Sequence, residues 1–571
     1  MRRVRRALLW AVVAATVVAG YPGALAASLW AGTTTTPGIH GPAGPLPWLH
    51  VEHPADGGTP YIADERGRRM ILRGVVAAGL VDYWTGSDPN LLAPPPYFPI
   101  EPAAYENGAC PANSTETWIP PLCRNDLSEM HALGFNVLRL ALSWSLLEPQ
   151  PGRYNQRYLD RIAQVVGWAR AEGIYVLLDM HQNAYSRYLG RSDSLPGGVK
   201  PGLSDYDGAP AWATFPDFLP SEKYANQREL NPALWQATTW FWLNRAGIQD
   251  HFIAAVAELA RRFKDESAVA GYSVYNEPWP GWILPPAFDD LLLYPFYRRV
   301  IDAMTGARDG LPCSLPLAVC GHADLGVRDR AHLFFVETGL VREITDLPTH
   351  LAAPLSSYAN VVLSIHAYTH IYTPDALSGH VSDSWPPYDQ SYWWAEREAR
   401  WLHAAIFVSE FGNDPRDDQK LLASQLLEME RHQLGSTFWV WKQNCGYNRP
   451  WGMFEGVYGA ASDQRCAYDR GPPDTAARPQ SGCLLAERER QLARVWPAAT
   501  PPGPFRYHYD PATGSFAMTG STAVAGEVLL VVPPEVTGGD HPEARPIPVG
   551  PGAYRITLPA TALHLAGCAY V

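Results

Sequence analysis

Positive charge is scarce in this chain of 571 residues. Its 45 Lys and Arg face 57 Asp and Glu, for a formal net charge of −12, and no basic run follows the first six residues. That excludes the clustered cations on which nucleic-acid binding depends. Long apolar runs are missing too: past the N-terminus nothing reads as the ~20-residue stretch that spans a bilayer. Neither CxxC nor HExxH occurs, so no metal site is indicated and no cofactor is expected. There is no internal repeat. A charged fraction of 18% beside 47% hydrophobic residues describes an ordinary globular protein, long enough for one large domain and a smaller one.

What is present begins with MRRVRR, an apolar run over Ala7–Gly20 and the small-x-small sequence Ala24-Leu25-Ala26. Together these predict a signal peptide over 1–26 and a secreted or surface-associated protein. Eight cysteines, an even number, suit that oxidising destination. Cys110/Cys123 and Cys313/Cys320 are close enough for local bridges, and Cys445, Cys466, Cys483 and Cys568 could form two more in any pairing. Residues 27–60, rich in Gly, Pro and Thr, read as a loose leader. The 21 Trp and 28 Tyr suit a cleft for sugars or apolar groups as readily as a core.

Eight short apolar runs then alternate with helical patterns: MILRGVVAA (70–78), FNVLRLAL (135–142), IYVLLDM (174–180), AGYSVYNE (270–277), HLFFVE (332–337), NVVLSIHAY (360–368), AAIFVSE (404–410) and STFWVWK (436–442). Eight strands buried on both faces and separated by helices predict an α/β fold, a (β/α)8 TIM barrel over 61–495. Excursions at 79–125 and 182–245 are too long for ordinary connections and are expected to build or cover a cleft. PAATPPGP (497–504) reads as a linker, and the alternating pattern over 505–571 predicts a small C-terminal antiparallel β-sandwich domain.

In such a barrel, polar residues at strand C-termini mark the active site. Arg139, His181, Asn276, Glu277, Glu337, His366, Tyr368, Glu410 and Trp441 all fall there. Glu277 ends the fourth run and Glu410 the seventh, placing two carboxyl groups on opposite sides of the mouth. Cleavage of a glycosidic bond needs such a pair, one to protonate the leaving oxygen and one to attack or to activate water. Asn276 can both donate to and accept from a sugar hydroxyl. Arg139 favours an ionised neighbour, and Trp441 offers a flat face for a sugar ring. Glu337 reads as a ligand or structural carboxylate, and Tyr185 equally as a sugar contact or as packing. The segment LPPAFDDLLLYPF (284–296) is a candidate lining for an acyl chain, or an ordinary packed helix.

Asn-Glu-Pro at 276–278 and Ser-Glu-Phe-Gly at 409–412 resemble family 5 glycoside hydrolases. LDMHQNAYSRY (178–188), YNEPWPG (275–281) and the trailing β domain resemble, more narrowly, the endoglycoceramidases. The resemblance implies a retaining enzyme with Glu277 as acid/base and Glu410 as nucleophile. It implies a supporting shell of Arg139, His181, Asn276, His366, Tyr368 and Trp441, with Asn183 standing where that subgroup has an acidic residue. Trp441 is preferred to Trp439 because it matches the family's pattern. The implied function is hydrolysis between a glycan and a lipid aglycone, releasing oligosaccharide and ceramide from a glycosphingolipid. Expected with it are a monomer, a glycolipid or other β-glycoside substrate, transient contact with a membrane or micelle surface, and no nucleic acid. The alternatives are a retaining β-glycosidase on soluble β-glucan, β-mannan or small β-glucosides, and an inactive carbohydrate- or lipid-binding protein.

Overall fold

The computed structural model describes residues 45–566, except 82–101, 106–121, 190–205, 223, 225–227, 307–323, 354, 383, 415–418, 443–450, 455–483 and 540. The expected signal peptide, most of the first excursion and every cysteine but Cys123 lie outside the described residues. Among those described, no helix is long and apolar enough to cross a membrane.

Three strands come first: β1 (Leu49–Glu52), β2 (Tyr61–Asp64) and β3 (Arg69–Met70). The eight apolar runs follow as β4 (Arg73–Leu80), β5 (Val137–Ser143), β6 (Tyr175–His181), β7 (Val269–Ser273), β8 (Leu333–Glu337), β9 (Val361–Ala367), β10 (Ala405–Phe411) and β11 (Gly435–Phe438). They pair in parallel and close into a barrel. Strand periodicity decides what the interior contains. Val137 and Arg139 share a face, as do Leu177 and Asp179, and Phe335 and Glu337. The lower interior is therefore apolar: Val137, Leu177, Phe335 and Phe407 pack in one cluster with Leu49, Val51 and Ile62, supplied by β1 and β2. Two residues further along the same strands, the interior becomes charged. Outside, helices pack on the barrel, some through one stripe and Tyr294–Thr305 through nearly its whole surface. In Ile248–Phe263 the stripe runs through Phe252, Val256 and Leu259, the spacing of an amphipathic helix, and each of these side chains contributes roughly 1.5–3 kcal/mol.

After the barrel come β12 (Trp496–Thr500), β13 (Phe505–Asp510), β14 (Ser515–Thr522), β15 (Gly526–Val532), β16 (Glu543–Val549) and β17 (Gly552–Leu558). A six-stranded sheet, β1-β2-β3-β12-β15-β16, faces a three-stranded one, β13-β14-β17. Trp496, Phe505, Tyr507, Phe516, Met518, Val528 and Leu530 fill the core of this C-terminal β domain. Two boundaries differ from the sequence reading. Residues 49–52, placed in a loose leader, form a strand paired to 61–64, and the expected linker begins as the buried strand β12. Pairing stabilises both, β1 with nearby β2 and β12 with β3 and β15, despite their Gly- and Pro-rich surroundings. Buried Arg494 binds Glu430 on the barrel helix Gln419–Arg431, and His508 Nδ1 lies 2.9 Å from the same carboxylate, tying the domain to the barrel.

Candidate active site

The barrel mouth is organised around Arg139, fully buried on β5. Its guanidinium binds Glu410 and donates to Glu337 Oε1 at 2.5 Å, Asn276 Oδ1 at 2.8 Å and Asp179 Oδ1 at 3.0 Å. Burial alone would lower its pKa, but Asp179, Glu337 and Glu410 together raise it. Asp179 is lowered in turn, Arg139 and His181 outweighing its burial.

Glu410 reaches this cluster through an irregularity. Ile406 and Val408 pack toward the helices, so regular alternation would send Glu410 the same way. The register between β9 and β10 shifts between Val408 and Glu410, and such a bulge re-aims the side chain that follows it. Tyr368 Oη then donates to Glu410 Oε2 at 3.0 Å. Glu277 stands beyond the end of β7 at φ 42, a left-handed conformation that is costly without a constraint. Two bonds impose it: its N–H donates to Glu337 Oε2 at 2.8 Å, and its C=O accepts from Gln182 Nε2 at 3.0 Å. The turn beyond is fixed by Gly281, at φ +65, where an added Cβ would stand 2.2 Å from Thr239 Oγ1.

A carboxylate oxygen of Glu277, one of Glu410 and a nitrogen of His366 all lie within 4.8 Å of one another. His366 Nδ1 is 3.0 Å from Glu277 Oε1 and 3.6 Å from Glu410 Oε2. Burial works against a charged imidazole here, but Glu410, Glu343, Glu337 and the bond to Glu277 raise it well above the ordinary value. Consequently the raised acid expected of such a pair is not on Glu277. Burial pushes that carboxyl up, yet the bond and charge of His366, with Arg228 and His181, hold it down at about 2. Glu410 is raised, burial outweighing His366 and Arg139. His366 Nδ1 thus stands one short proton transfer from Glu277.

His181, at the end of β6, stacks on Trp439 at 5.4 Å and 8°, and its Nδ1 lies 2.9 Å from Asp179 Oδ2. Asn183 Nδ2 is 3.3 Å from His181 Nε2. Its own N–H donates to Asp207 Oδ1 at 2.5 Å, so a carboxylate absent from the motif arrives from another part of the chain. Asn276 spends its amide on Arg139 and on Gln182 O, 3.0 Å from Nδ2; in the free site it positions the guanidinium.

Two expected site residues are not there. Trp441 is buried, donating from Nε1 to Asp126 Oδ1 at 3.1 Å and packing edge-on to Phe454. Residues i and i+2 share a face only while a strand is regular; β11 ends at Phe438, and the half-buried ring left at the mouth is Trp439. Tyr185 is also buried, its Oη donating to Ala213 O at 2.7 Å and its ring against Phe241. Of the candidate acyl lining, Phe288, Leu293 and Phe296 belong to the barrel–helix core. Glu343, on the helix Leu340–Thr345, joins the cluster unannounced by any motif. Two groups of side chains, Glu277/His366/Glu410 and Glu337/Glu343/His366, converge closely enough to hold an ion, although Arg139 already takes the charge of Glu337 and Glu410.

A closed parallel barrel with paired carboxyls at its C-terminal mouth is a glycosidase architecture. Residues 103–284 match the family model for cellulase (glycosyl hydrolase family 5). Endoglycoceramidase I of Rhodococcus hoagii (strain 103S) is 25% identical over 499 residues, covering 83% of this chain and 77% of the relative. A crystal structure of endogalactoceramidase is similar at a TM-score of 0.63 and 26% identity, covering 90% of this chain and 100% of that one. Endo-glycoceramidase II from Rhodococcus sp., in complex with ganglioside GM3, shares the fold at a TM-score of 0.60 and 22% identity, covering 88% and 99%. The chain is thus similar to family 5 glycoside hydrolases over 103–284 and to endoglycoceramidases over most of its length.

Proposed function

We propose that this protein is a retaining endo-β-glycosidase that cuts a glycan from a lipid aglycone, releasing oligosaccharide and ceramide from a glycosphingolipid. The approach of Glu277 and Glu410 to within 4.8 Å carries the mechanism. It fits double displacement, whose carboxyls stand ~5–5.5 Å apart, better than the ~6.5–9.5 Å of inversion. Glu410, held by Arg139 and Tyr368, attacks the anomeric carbon. The bond to the aglycone breaks as a proton reaches the leaving oxygen from Glu277, resupplied by His366 across 3.0 Å. Water then attacks the glycosyl-Glu410 ester, giving a proton to Glu277, and the sugar departs with its configuration retained. Trp439 and His181 form the wall against which the sugar lies.

Similarity to an endoglycoceramidase along 83% of the chain supports the lipid half of the reading. Export directed by residues 1–26, disulfides among the eight cysteines, a monomeric state and transient contact with a lipid surface belong to the same proposal. Incubation with glycosphingolipids, glucosyl lipids and free β-oligosaccharides, followed by product identification, tests it. Intact oligosaccharide released from ceramide is the expected result. Cleavage of soluble β-glucans or β-mannans alone removes the lipid claim, and no turnover on any arm leaves a binding protein.

A further inference from the structure

Three carboxylates converge on one ring nitrogen. His366 Nδ1 lies 3.0 Å from Glu277 Oε1, 3.6 Å from Glu410 Oε2 and 3.7 Å from Glu343 Oε2. The other ring nitrogen stands 3.4 Å from Glu337 Oε2. Carboxylates this close in a buried site cannot all ionise, and the available cations are unevenly shared. Arg139 takes Glu410, Glu337 and Asp179. Glu277 has the shortest bond to the imidazole and Arg228 at 3.9 Å. Arg342, beside Glu343 in sequence, turns away to Glu398 and Ser391. Tyr297, from the helix Tyr294–Thr305, gives its hydroxyl to Glu337 O. Glu343 is left with a 3.3 Å bond from Thr338 Oγ1 to Oε1, and its Oε2 has no hydrogen-bond partner among the described residues.

We propose that Glu343 is a positioning residue of the reaction: as the neutral acid it leaves the His366 proton directed at Glu277, and as the carboxylate it draws that proton away. Burial raises the Glu343 carboxyl well above its ordinary range, with Glu277, Glu337 and Glu410 adding to the effect against His366. The proton balance is simple. One proton passes from His366 Nδ1 to Glu277 and on to the leaving oxygen, while Glu343 keeps its own. When Glu343 ionises, a second anion competes for the Nδ1 proton, and Glu277 loses its supply. This role rests on Glu277 acting as the acid.

Glu343→Gln fixes the neutral form and is the test. The alkaline limb of its kcat/KM profile should move up by about one pH unit or more. Infrared difference spectra give a readout independent of turnover. Wild type at neutral pH should show a buried carboxylic-acid C=O band that fades across the alkaline limb, and Glu343→Gln should lack it. A superimposable pH profile, a loss of rate as steep as that of Glu277→Gln, or a band that persists in Glu343→Gln would each overturn the inference. If Glu343→Gln does not fold, the wild-type infrared titration decides alone, and a band that does not fade across the limb counts against it. Wild type showing the band but cleaving no β-glycoside would instead sink the glycosidase reading, and this inference with it.

Discussion

The floor and the mouth of the barrel are built on the same strands, two residues apart, with opposite chemistry. On the floor, Phe335 and Phe407 meet edge to face at 5.4 Å, sealed below by Leu49, Val51 and Ile62. In the mouth, Arg139, Asp179, Glu337, Glu410 and His366 are just as buried, yet they hold one another through ion pairs. Burying apolar surface stabilises a fold without further conditions. Burying charge stabilises it only while every partner remains. The floor therefore tolerates loss locally, whereas the mouth is a single coupled unit.

Breaking the mouth at its reacting groups should give the largest effect. Glu410→Gln should cost ~10⁴-fold or more in kcat, and Glu277→Gln ~10²–10⁴-fold. Thermal melts close to wild type would show that chemistry, not folding, was lost. Removing the hub comes next: Arg139→Met leaves three carboxylates without their cation and should cost about 3–5 kcal/mol in urea unfolding as well as activity. The floor supplies the contrast. Phe407→Ala should cost a similar ~3–5 kcal/mol, yet kcat per folded molecule should stay near wild type. Loss of turnover at full folding would break the comparison.

Smaller effects sharpen it. Trp439→Ala should raise KM roughly three- to tenfold by removing a stacking face. Trp441→Phe should leave KM unchanged and cost ~1 kcal/mol of stability through the lost bond to Asp126. Last is pH. Because Glu410 is raised by burial, the acid limb of kcat/KM should lie above the ordinary carboxylate value of about 4.3. His366→Gln removes a charge that lowers Glu410, so that limb moves up. It also removes the proton shared with Glu277, so the alkaline limb moves down, and the profile narrows from both sides.

The parts legible in the sequence were those with a local signature. Eight apolar runs gave eight strands, and Arg139, His181, Glu277, His366, Tyr368 and Glu410 stood out as polar residues at the ends of apolar stretches. What stayed hidden depended on contacts outside the local pattern. β1 and β12 are short strands in Gly- and Pro-rich surroundings, recognisable only by what they pair with. Trp439 and Trp441 are exchanged because the strand ends at Phe438, before both, and its period no longer sets their faces. Tyr185 lies in a motif, but its hydroxyl finds a backbone carbonyl before any sugar. Glu343 follows β8 on a short helix, where nothing in the local pattern separates it from a surface residue.

Covalent trapping tests the central claim most directly. A 2-deoxy-2-fluoro β-glycoside with a good leaving group should label the protein once, and peptide mass spectrometry should place the label on Glu410. A label on Glu337 or Glu277, or turnover with inverted configuration and no label, would contradict the account.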